Sequence, residues 1–572
     1  MIDDMNDDMG IQFTGRDVKG VVMTGGGSPM EDTPFAQALI RPRQSEKLPP
    51  CCAGCATGAD VRGWIAVIAQ REKLGLYEPE AYLQAWRMVT AINPFPATLG
   101  RICPHPCQVN CSRKEKDGAV AINALERFLG DWALKQQLDL PRLEQGAKPE
   151  SIGVIGAGPA GLSFAYQMAR RSYRVTIYEK EEKAGGMLYY GIPQYRLPEE
   201  VLGAEIRRIL DLGVELKLNT AIGRDITVQL LRKRHDVLFL GIGAGRGRKL
   251  GITGEEGADV WTGAEYLARL NRGEPIELGV EVVVVGGGNT AVDAARAGRR
   301  SGARVTMLYR RTRKEMPAIE SEIEDALAEG VRIEYLSAPV EIKRDGGKVR
   351  ALVVQRMELG EPDNSGRSRP VPVPGSEYEI PAESVIAAVS QEPDWEYLSE
   401  LDRGTVWVQA AGHGRVESGL WAGGDALAPG IAGLAIAQGR QAAEAVHAQL
   451  RELEQPRASQ RSAVSDKTIK ADYHPEKKPA TPRRRPVEDR LTQPEAEVQE
   501  TISREEFLEE VSRCFSCGLC YGCEYCFMYC NAGAFARLGQ VGPGAYFALS
   551  LDYCEGCGKC IDLCPCGFLT PR

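Results

Sequence analysis

Ser151-Ile-Gly-Val-Ile-Gly-Ala-Gly-Pro-Ala-Gly-Leu162 is a short apolar run that breaks into the glycine pattern Gly156-x-Gly158-x-x-Gly161. Such a run predicts a buried strand entering a helix, with Pro159 and Ala160 in its first turn. The glycines allow a tight turn and let a dinucleotide pyrophosphate approach the helix N-terminus. A following strand, Arg174-Val-Thr-Ile-Tyr-Glu179, ends about 20 residues on in a carboxylate placed to accept adenosine ribose hydroxyls, with Lys180 beside it. A plain structural glycine turn is the alternative.

A second copy reads Glu281-Val-Val-Val-Val-Gly-Gly-Gly-Asn-Thr-Ala-Val-Asp293, with Gly286, Gly288 and Ala291 in the fingerprint positions and Gly287, Asn289 and Thr290 between them. Its next strand, Arg304-Val-Thr-Met-Leu-Tyr-Arg-Arg311, ends in Arg310 and Arg311 where the first copy has Glu179. Guanidinium groups there suit a 2′-phosphate and favour NADPH over NADH; a solvated basic turn is the alternative. A third element, Leu420-Trp-Ala-Gly-Gly-Asp425, precedes the small-residue helix Ala435–Ala443 and reads as the strand that returns to the first domain, bringing Gly424 and Asp425 to a flavin; a plain turn aspartate is the alternative. Two nucleotide sites imply FAD with NADH or NADPH. Hydride transfer between stacked rings needs geometry more than an acid or base, so no catalytic side chain is expected.

Composition sets bounds on this reading. A chain of 572 residues with 43% hydrophobic content holds several domains, and a net charge of -8 gives no pull toward nucleic acid. Asp3, Asp4, Asp7 and Asp8 stand where a signal peptide would be basic, and no apolar run has membrane length. The expected location is the cytoplasm.

The 17 cysteines fall into two groups, from Cys51 to Cys111 and from Cys514 to Cys566, with none between. In a reducing compartment such clusters point to metal. Two runs share one spacing: Cys520-x2-Cys523-x2-Cys526-x3-Cys530, and Cys554-x2-Cys557-x2-Cys560-x3-Cys564 followed by Pro565. This is the bacterial two-cluster ferredoxin pattern, in which each fourth cysteine serves the other cluster. It assigns Cys520, Cys523, Cys526 and Cys564 to one [4Fe-4S] cluster and Cys554, Cys557, Cys560 and Cys530 to the other. Structural zinc is the alternative, as is a shifted set using Cys517; Cys514, Cys517 and Cys566 are left over. The cysteine-free body offers a flavin no thiol relay, so electrons are expected to leave through the iron-sulfur ends.

Cys51-Cys-Ala-Gly-Cys55, Asn93-Pro-Phe-Pro96, Gly100-Arg-Ile-Cys-Pro-His-Pro-Cys-Gln-Val-Asn-Cys111, Ala119–Phe128 and Gly185-Gly-Met-Leu-Tyr-Tyr-Gly-Ile-Pro-Gln-Tyr-Arg-Leu-Pro198, followed by the motifs above, resemble the glutamate synthase small-subunit family over roughly residues 50–450. The resemblance implies a helical N-terminal domain with one or two [4Fe-4S] clusters. It implies Cys55, Cys103, Cys107 and Glu126 as one ligand set, with Cys51 and Cys111 belonging to a second, although the cysteine pair that some relatives carry upstream of Cys51 is absent. Cys52 either fills that gap or is a buried thiol, and Glu126 is either a ligand or a surface carboxylate. The resemblance also adds Gly186, Met187, Leu188 and Arg196 to the cofactor-binding residues.

The fold expected is α/β: a helical iron-sulfur domain over 1–150, an FAD domain at 151–250 and 386–450 split around an NAD(P) domain at 251–385, a linker at 451–500, and a ferredoxin-like α+β domain at 501–572. The Pro-, Lys-, Arg- and Glu-rich linker reads as a tether, leaving the ferredoxin as a separate docking end that a chain ending near residue 450 could lose while keeping FAD and dye reduction. The expected activity is an NAD(P)H oxidoreductase passing single electrons to or from a protein partner. Fusion to a ferredoxin is similar to iron-sulfur flavoproteins associated with dissimilatory sulfite reductase, which implies that complex as the partner. The alternatives are a non-catalytic electron-transfer and assembly subunit, or the small subunit of a glutamate synthase-like enzyme. A homo-oligomer is compatible with either.

Overall fold

In the computed structural model, which describes residues 39–362, 366–402, 404–456 and 461–572, the run Ser151–Ile155 lies in the interior of a six-stranded sheet. The strand order is Arg415–Glu417, Leu420–Ala422, Val237–Leu240, Ser151–Ile155, Arg174–Tyr178, Glu215–Lys217, and all pairs but the first are parallel. Ile152 to Ile155 are buried, as a strand covered on both faces requires. The helices Pro159–Ala169 and Ala432–Leu450 pack together, and Phe164 stacks on Phe239 with ring centroids 4.3 Å apart. The acidic residues Asp3 to Asp8 lie outside the described residues.

A second, wholly parallel sheet runs Arg332–Tyr335, Arg304–Tyr309, Glu281–Val285, Ser384–Ala387, Val260–Thr262. A boundary at 386 would cut the strand Ser384–Ala387. The chain instead crosses back through Gln391–Glu392, which pairs antiparallel with the outgoing Arg246–Gly247. An antiparallel meander from Ser337 to Pro381 extends this domain.

The N-terminal domain is helical. Helix Pro96–Ile102 crosses helix Ile122–Lys135 so closely that a Cβ on Gly100 would sit 2.4 Å from the Arg127 Cα, and one on Gly130 would sit 2.3 Å from the Ala97 nitrogen. Glu205, wholly buried on helix Glu199–Leu210, accepts from the Ala97 and Thr98 amides at 2.8 and 2.9 Å and so satisfies the first orphan donors of that helix. Cys103 caps its other end.

The C-terminal segment is not held at arm's length. Helix Arg504–Ser512 lays Phe507 against Phe128 (4.0 Å, stacked) and Tyr82 (5.3 Å, edge-on), and Glu510 accepts from the Ala121 and Ala480 amides. Pro42–Gln44 pairs antiparallel with Leu569–Pro571, joining the two ends in one small sheet. The ferredoxin hairpin is Phe535–Gly542 with Ala545–Leu549.

The tether expected at 451–500 is packed over the body across most of its length. Arg484 and Arg490 reach Asp325 at 2.8 and 3.1 Å, Arg300 donates to the carbonyls of Arg490 and Pro494, and the Val498 amide donates to the Tyr195 carbonyl. The segment reads as a tether because composition does not reveal that Asp325 and Glu329, on the second nucleotide domain, pair with its arginines.

Candidate functional site

The glycine-rich turns of both sheets face one cavity of about 1350 Å³. From the first domain it is lined by Gly156, Gly158, Pro159, Ala160, Glu179 and Lys180, and by Gly186, Met187 and Leu188 from the segment that follows. Gly424 and Asp425 enter on the returning strand, and Gly288, Asn289 and Thr290 face it from the second domain. Leu99, Ile102 and Cys103 of the iron-sulfur domain complete a wall.

The glycines divide by what a side chain would meet. A Cβ on Gly161 would lie 2.0 Å from the Gly156 carbonyl oxygen, and one on Gly286 2.3 Å from that of Ala388, so these positions serve close packing. Gly156 holds a left-handed φ of 99°. A Cβ on Gly158 would meet nothing closer than the Gly186 Cα at 4.0 Å, and one on Gly288 nothing within 4 Å. Each of these two glycines caps a helix, of 11 and 12 residues, and leaves room for a phosphate at its N-terminus. Gly161, Gly286 and Gly287 are not on the cavity wall; Gly287 is backed by the Tyr309 ring.

Glu179 is buried, with Oε2 accepting from the Ala157 amide at 2.7 Å and Oε1 from Glu181 at 3.0 Å. Burial pushes its carboxyl up. It braces the glycine turn at the cavity edge. Burial also pushes the Asp425 carboxyl up to about 6, against the opposing effect of the Gly430 amide at 3.1 Å. Lys180 pairs with Asp394 at 3.0 Å. Arg196 lines the cavity but is gripped by Asp293 at 2.8 and 2.6 Å, a buried pair that ties the first nucleotide domain to the helix of the second.

Two features of the cavity escaped sequence reasoning. One is the N-terminus of helix Ala432–Leu450, whose approach from Pro429 to Gly433 lines the wall; the Pro429-Gly430 turn was its signal. The other is Arg272, on the wall and paired with Glu181 at 2.7 Å, which no motif marks.

Arg310 and Arg311 part company. Arg310 is exposed at the end of its strand. Arg311 is 3% exposed and donates from Nε to the Ser368 carbonyl at 2.8 Å. Neither is on the cavity wall.

The cysteines gather into groups. Cys55, Cys103, Cys107 and Glu126 are neighbours: burial raises all three thiols, Cys103 to about 12, and the Glu126 charge adds to each rise. Glu126 itself is pushed up to about 7 by burial, opposed by Asn93, whose Nδ2 donates to Oε1 at 2.9 Å. It is only partly exposed, not an open surface carboxylate. Cys520, Cys523, Cys526 and Cys564 line a small pocket of about 20 Å³, which Cys566 shares; the Cys564 and Cys566 sulfurs are 3.8 Å apart. Cys560 is pushed up to about 11 by burial and then by Cys530, Cys554 and Cys557. Cys51 and Cys111 ring a separate pocket together with Cys514 and Cys517. Cys517 is therefore apart from the first ferredoxin pocket. Cys52 does not line the pocket of Cys51 and Cys111; its thiol lies beside Cys51 and donates to Asp60 at 3.2 Å.

The donor sets suit the groups they imply: thiols around small enclosed spaces for iron-sulfur clusters, and open helix N-termini for two dinucleotides. Residues 150–448 match the family of pyridine nucleotide-disulphide oxidoreductases, and residues 43–138 match the dihydropyrimidine dehydrogenase domain II family with its 4Fe-4S cluster. Among curated proteins the chain is 39% identical over 433 residues to the beta subunit of an NADP(+)-dependent formate dehydrogenase of Moorella thermoacetica, covering 70% of this chain and 60% of that one. It is 38% identical over 358 residues to the beta subunit of an NADPH-Fe(3+) oxidoreductase of Geobacter sulfurreducens, covering 61% of this chain and 52% of that one. It is 34% identical over 381 residues to the glutamate synthase [NADPH] small chain of Escherichia coli, covering 62% and 80%. The chain thus spans little more than half the length of the first two relatives. Among the described residues no helix is long and apolar enough to cross a membrane. With one family matching just over half of the chain, and the Escherichia coli small chain matched over four fifths of its length, the chain belongs to the pyridine nucleotide-disulphide oxidoreductase family, in its glutamate synthase small-subunit-like branch.

Proposed function

We propose that the protein is an NAD(P)H-dependent FAD and iron-sulfur oxidoreductase that exchanges electrons with a protein partner. One observation carries this: a single cavity is lined by both open glycine turns and by Cys103 of the iron-sulfur domain. When bound, FAD supplies the conversion between two-electron hydride transfer and single-electron transfer, and [4Fe-4S] clusters carry single electrons. The chain's own part is placement. Gly158 and the N-terminus of helix Pro159–Ala169 receive one pyrophosphate, Gly288 and helix Asn289–Arg300 the other, and Glu179 steadies the first turn from behind. The Arg196–Asp293 pair holds the two domains in register across the gap. We assign Cys55, Cys103, Cys107 and Glu126 to a cluster at the cavity wall, and the two ferredoxin runs to two more.

NADPH is the preferred nucleotide in this reading. The named relatives use NADP(H), and Arg310 stands exposed at the end of the second fingerprint's following strand. The similarity in domain order to iron-sulfur flavoproteins associated with dissimilatory sulfite reductase makes that complex the proposed partner, and the cytoplasm is the proposed location; co-purification with that complex tests the pairing. The test of the activity is anaerobic dye reduction with each nucleotide, on the wild type and on Arg310→Ala. NADPH should serve the wild type better, and the substitution should raise KM for NADPH about tenfold with little change for NADH, the worth of one charge-assisted contact. Equal effects on both nucleotides would remove Arg310 from the site. No dye reduction by either nucleotide would favour the electron-transfer and assembly subunit.

A further inference from the structure

We propose that Cys51 and Cys111 are completed by Cys514 and Cys517 into a further [4Fe-4S] site, so that one cluster is held by both ends of the chain. It rests on the iron-sulfur part of the function proposed above. The N-terminal domain alone has too few thiols for a second four-cysteine site, and only Cys51 and Cys111 of them line the pocket shared with Cys514 and Cys517. The turn after helix Arg504–Ser512 supplies the missing pair from roughly 400 residues away. All four residues line one small pocket of about 30 Å³, similar to the pocket of about 20 Å³ lined by Cys520, Cys523, Cys526 and Cys564, where the spacing independently calls for a cubane. Among the described residues no group of three or more such side chains converges as a single ion requires. The four thiols surround a space instead.

The arrangement is built from backbone outward. Cys51 sits in the short helix Pro50–Ala53, and Cys111 just after Pro106–Val109. Arg62, 1% exposed, donates from Nη1 to the Lys47 carbonyl at 2.8 Å and to the Cys517 carbonyl at 3.0 Å, tying the two chain ends beside the pocket. Arg113, 2% exposed, is held by Asp117 and donates to the Arg513 carbonyl. Both guanidinium groups line the pocket, and the buried Arg62 Nε has no hydrogen-bond partner among the described residues. A buried donor without a partner destabilises the fold unless an acceptor is supplied. Arg62 is already paired with Glu46 and Arg113 with Asp117, so what an anionic, sulfur-rich cluster would add is an acceptor for that Nε. On uptake of a preformed cluster, each of the four thiols gives up its proton and becomes a thiolate ligand, with no change of oxidation state.

The assignment also orders the sites along the chain. Cys51 lies four residues from Cys55, Cys111 four from Cys107, and Cys517 three from Cys520. Each neighbouring pair is thus at most about 14 Å apart between Cα atoms, the reach of an extended chain of that length. The shared site stands between the N-terminal site and the ferredoxin. Only Cys52 and Cys566 are then left without a cluster.

The test is iron per chain in anaerobically reconstituted full-length protein. The double variant Cys514→Ala/Cys517→Ala should lose about four irons relative to wild type, and Cys51→Ala, from the opposite end of the chain, the same about four. Cys52→Ala should lose none. Wild-type iron content in either of the first two variants overturns the proposal. Should these variants fail to fold, the wild type decides. Alkylation of Cys51, Cys111, Cys514 and Cys517 should be blocked in the loaded protein and appear together when iron is chelated; labelling of Cys514 and Cys517 before chelation overturns it. FAD per chain, read in the same samples, reports separately on the flavin. Iron in the expected amounts without FAD would sink the flavin reading and leave this site standing.

Discussion

Gly158→Ala and Gly288→Ala are expected to give folded proteins with opposite losses. The Gly158 substitution should remove bound FAD, weakening it at least about 100-fold, because the new methyl group would occupy the place where a pyrophosphate meets the helix N-terminus. The Gly288 substitution should leave FAD bound and cut kcat/KM for NADPH by about the same factor. Neither Cβ meets protein closer than 4.0 Å, so thermal stability should hardly move. Gly161→Ala, whose Cβ would be driven to 2.0 Å from the Gly156 oxygen, should instead lower stability along with FAD content. If Gly158→Ala binds FAD normally, the first turn is a structural corner and the cavity needs another occupant.

A chain ending after Leu450 should be far less stable than the intact protein. It would strip Phe507 and Val511 from the core they share with Tyr82, Phe128 and Trp86, and would leave the Ala121 amide without Glu510. Deletion of a buried Phe side chain alone costs about 3–5 kcal/mol. The melting temperature should fall by more than about 10 °C, and iron at the N-terminal domain should fall with it. A truncated protein that melts with the full chain and keeps its N-terminal iron would restore the picture of a tethered, separable ferredoxin.

That picture came from composition, and its failure shows where sequence reasoning stops. The two nucleotide folds were legible at Gly156 to Gly161 and at Gly286 to Ala291 because strand, turn and helix lie within a dozen residues, and local sterics dictate them. The grouping of Cys520, Cys523 and Cys526 with the distant Cys564 followed from a spacing repeated in two runs, and all four line one pocket. The segment holding Arg484 and Arg490 looked like a tether because the carboxylates they pair with, Asp325 and Glu329, lie more than 150 residues away. Arg311 resembled Arg310 on paper; alternation along the strand end sends one inward to Ser368 and leaves the other exposed. Cys514 and Cys517 seemed surplus because their pocket is shared with residues at the opposite end of the chain. Nothing local to them records that.

The central claim is that one cavity brings a nicotinamide, a flavin and the wall of an iron-sulfur domain together. It is tested most directly by anaerobic titration of the reconstituted full-length protein with NADPH, following flavin absorbance and low-temperature electron paramagnetic resonance in the same samples. The account expects the flavin bands to bleach within about one equivalent and reduced-cluster signals to grow with further additions. Flavin that stays oxidised in excess NADPH and NADH, or that bleaches while every cluster stays silent, would contradict it.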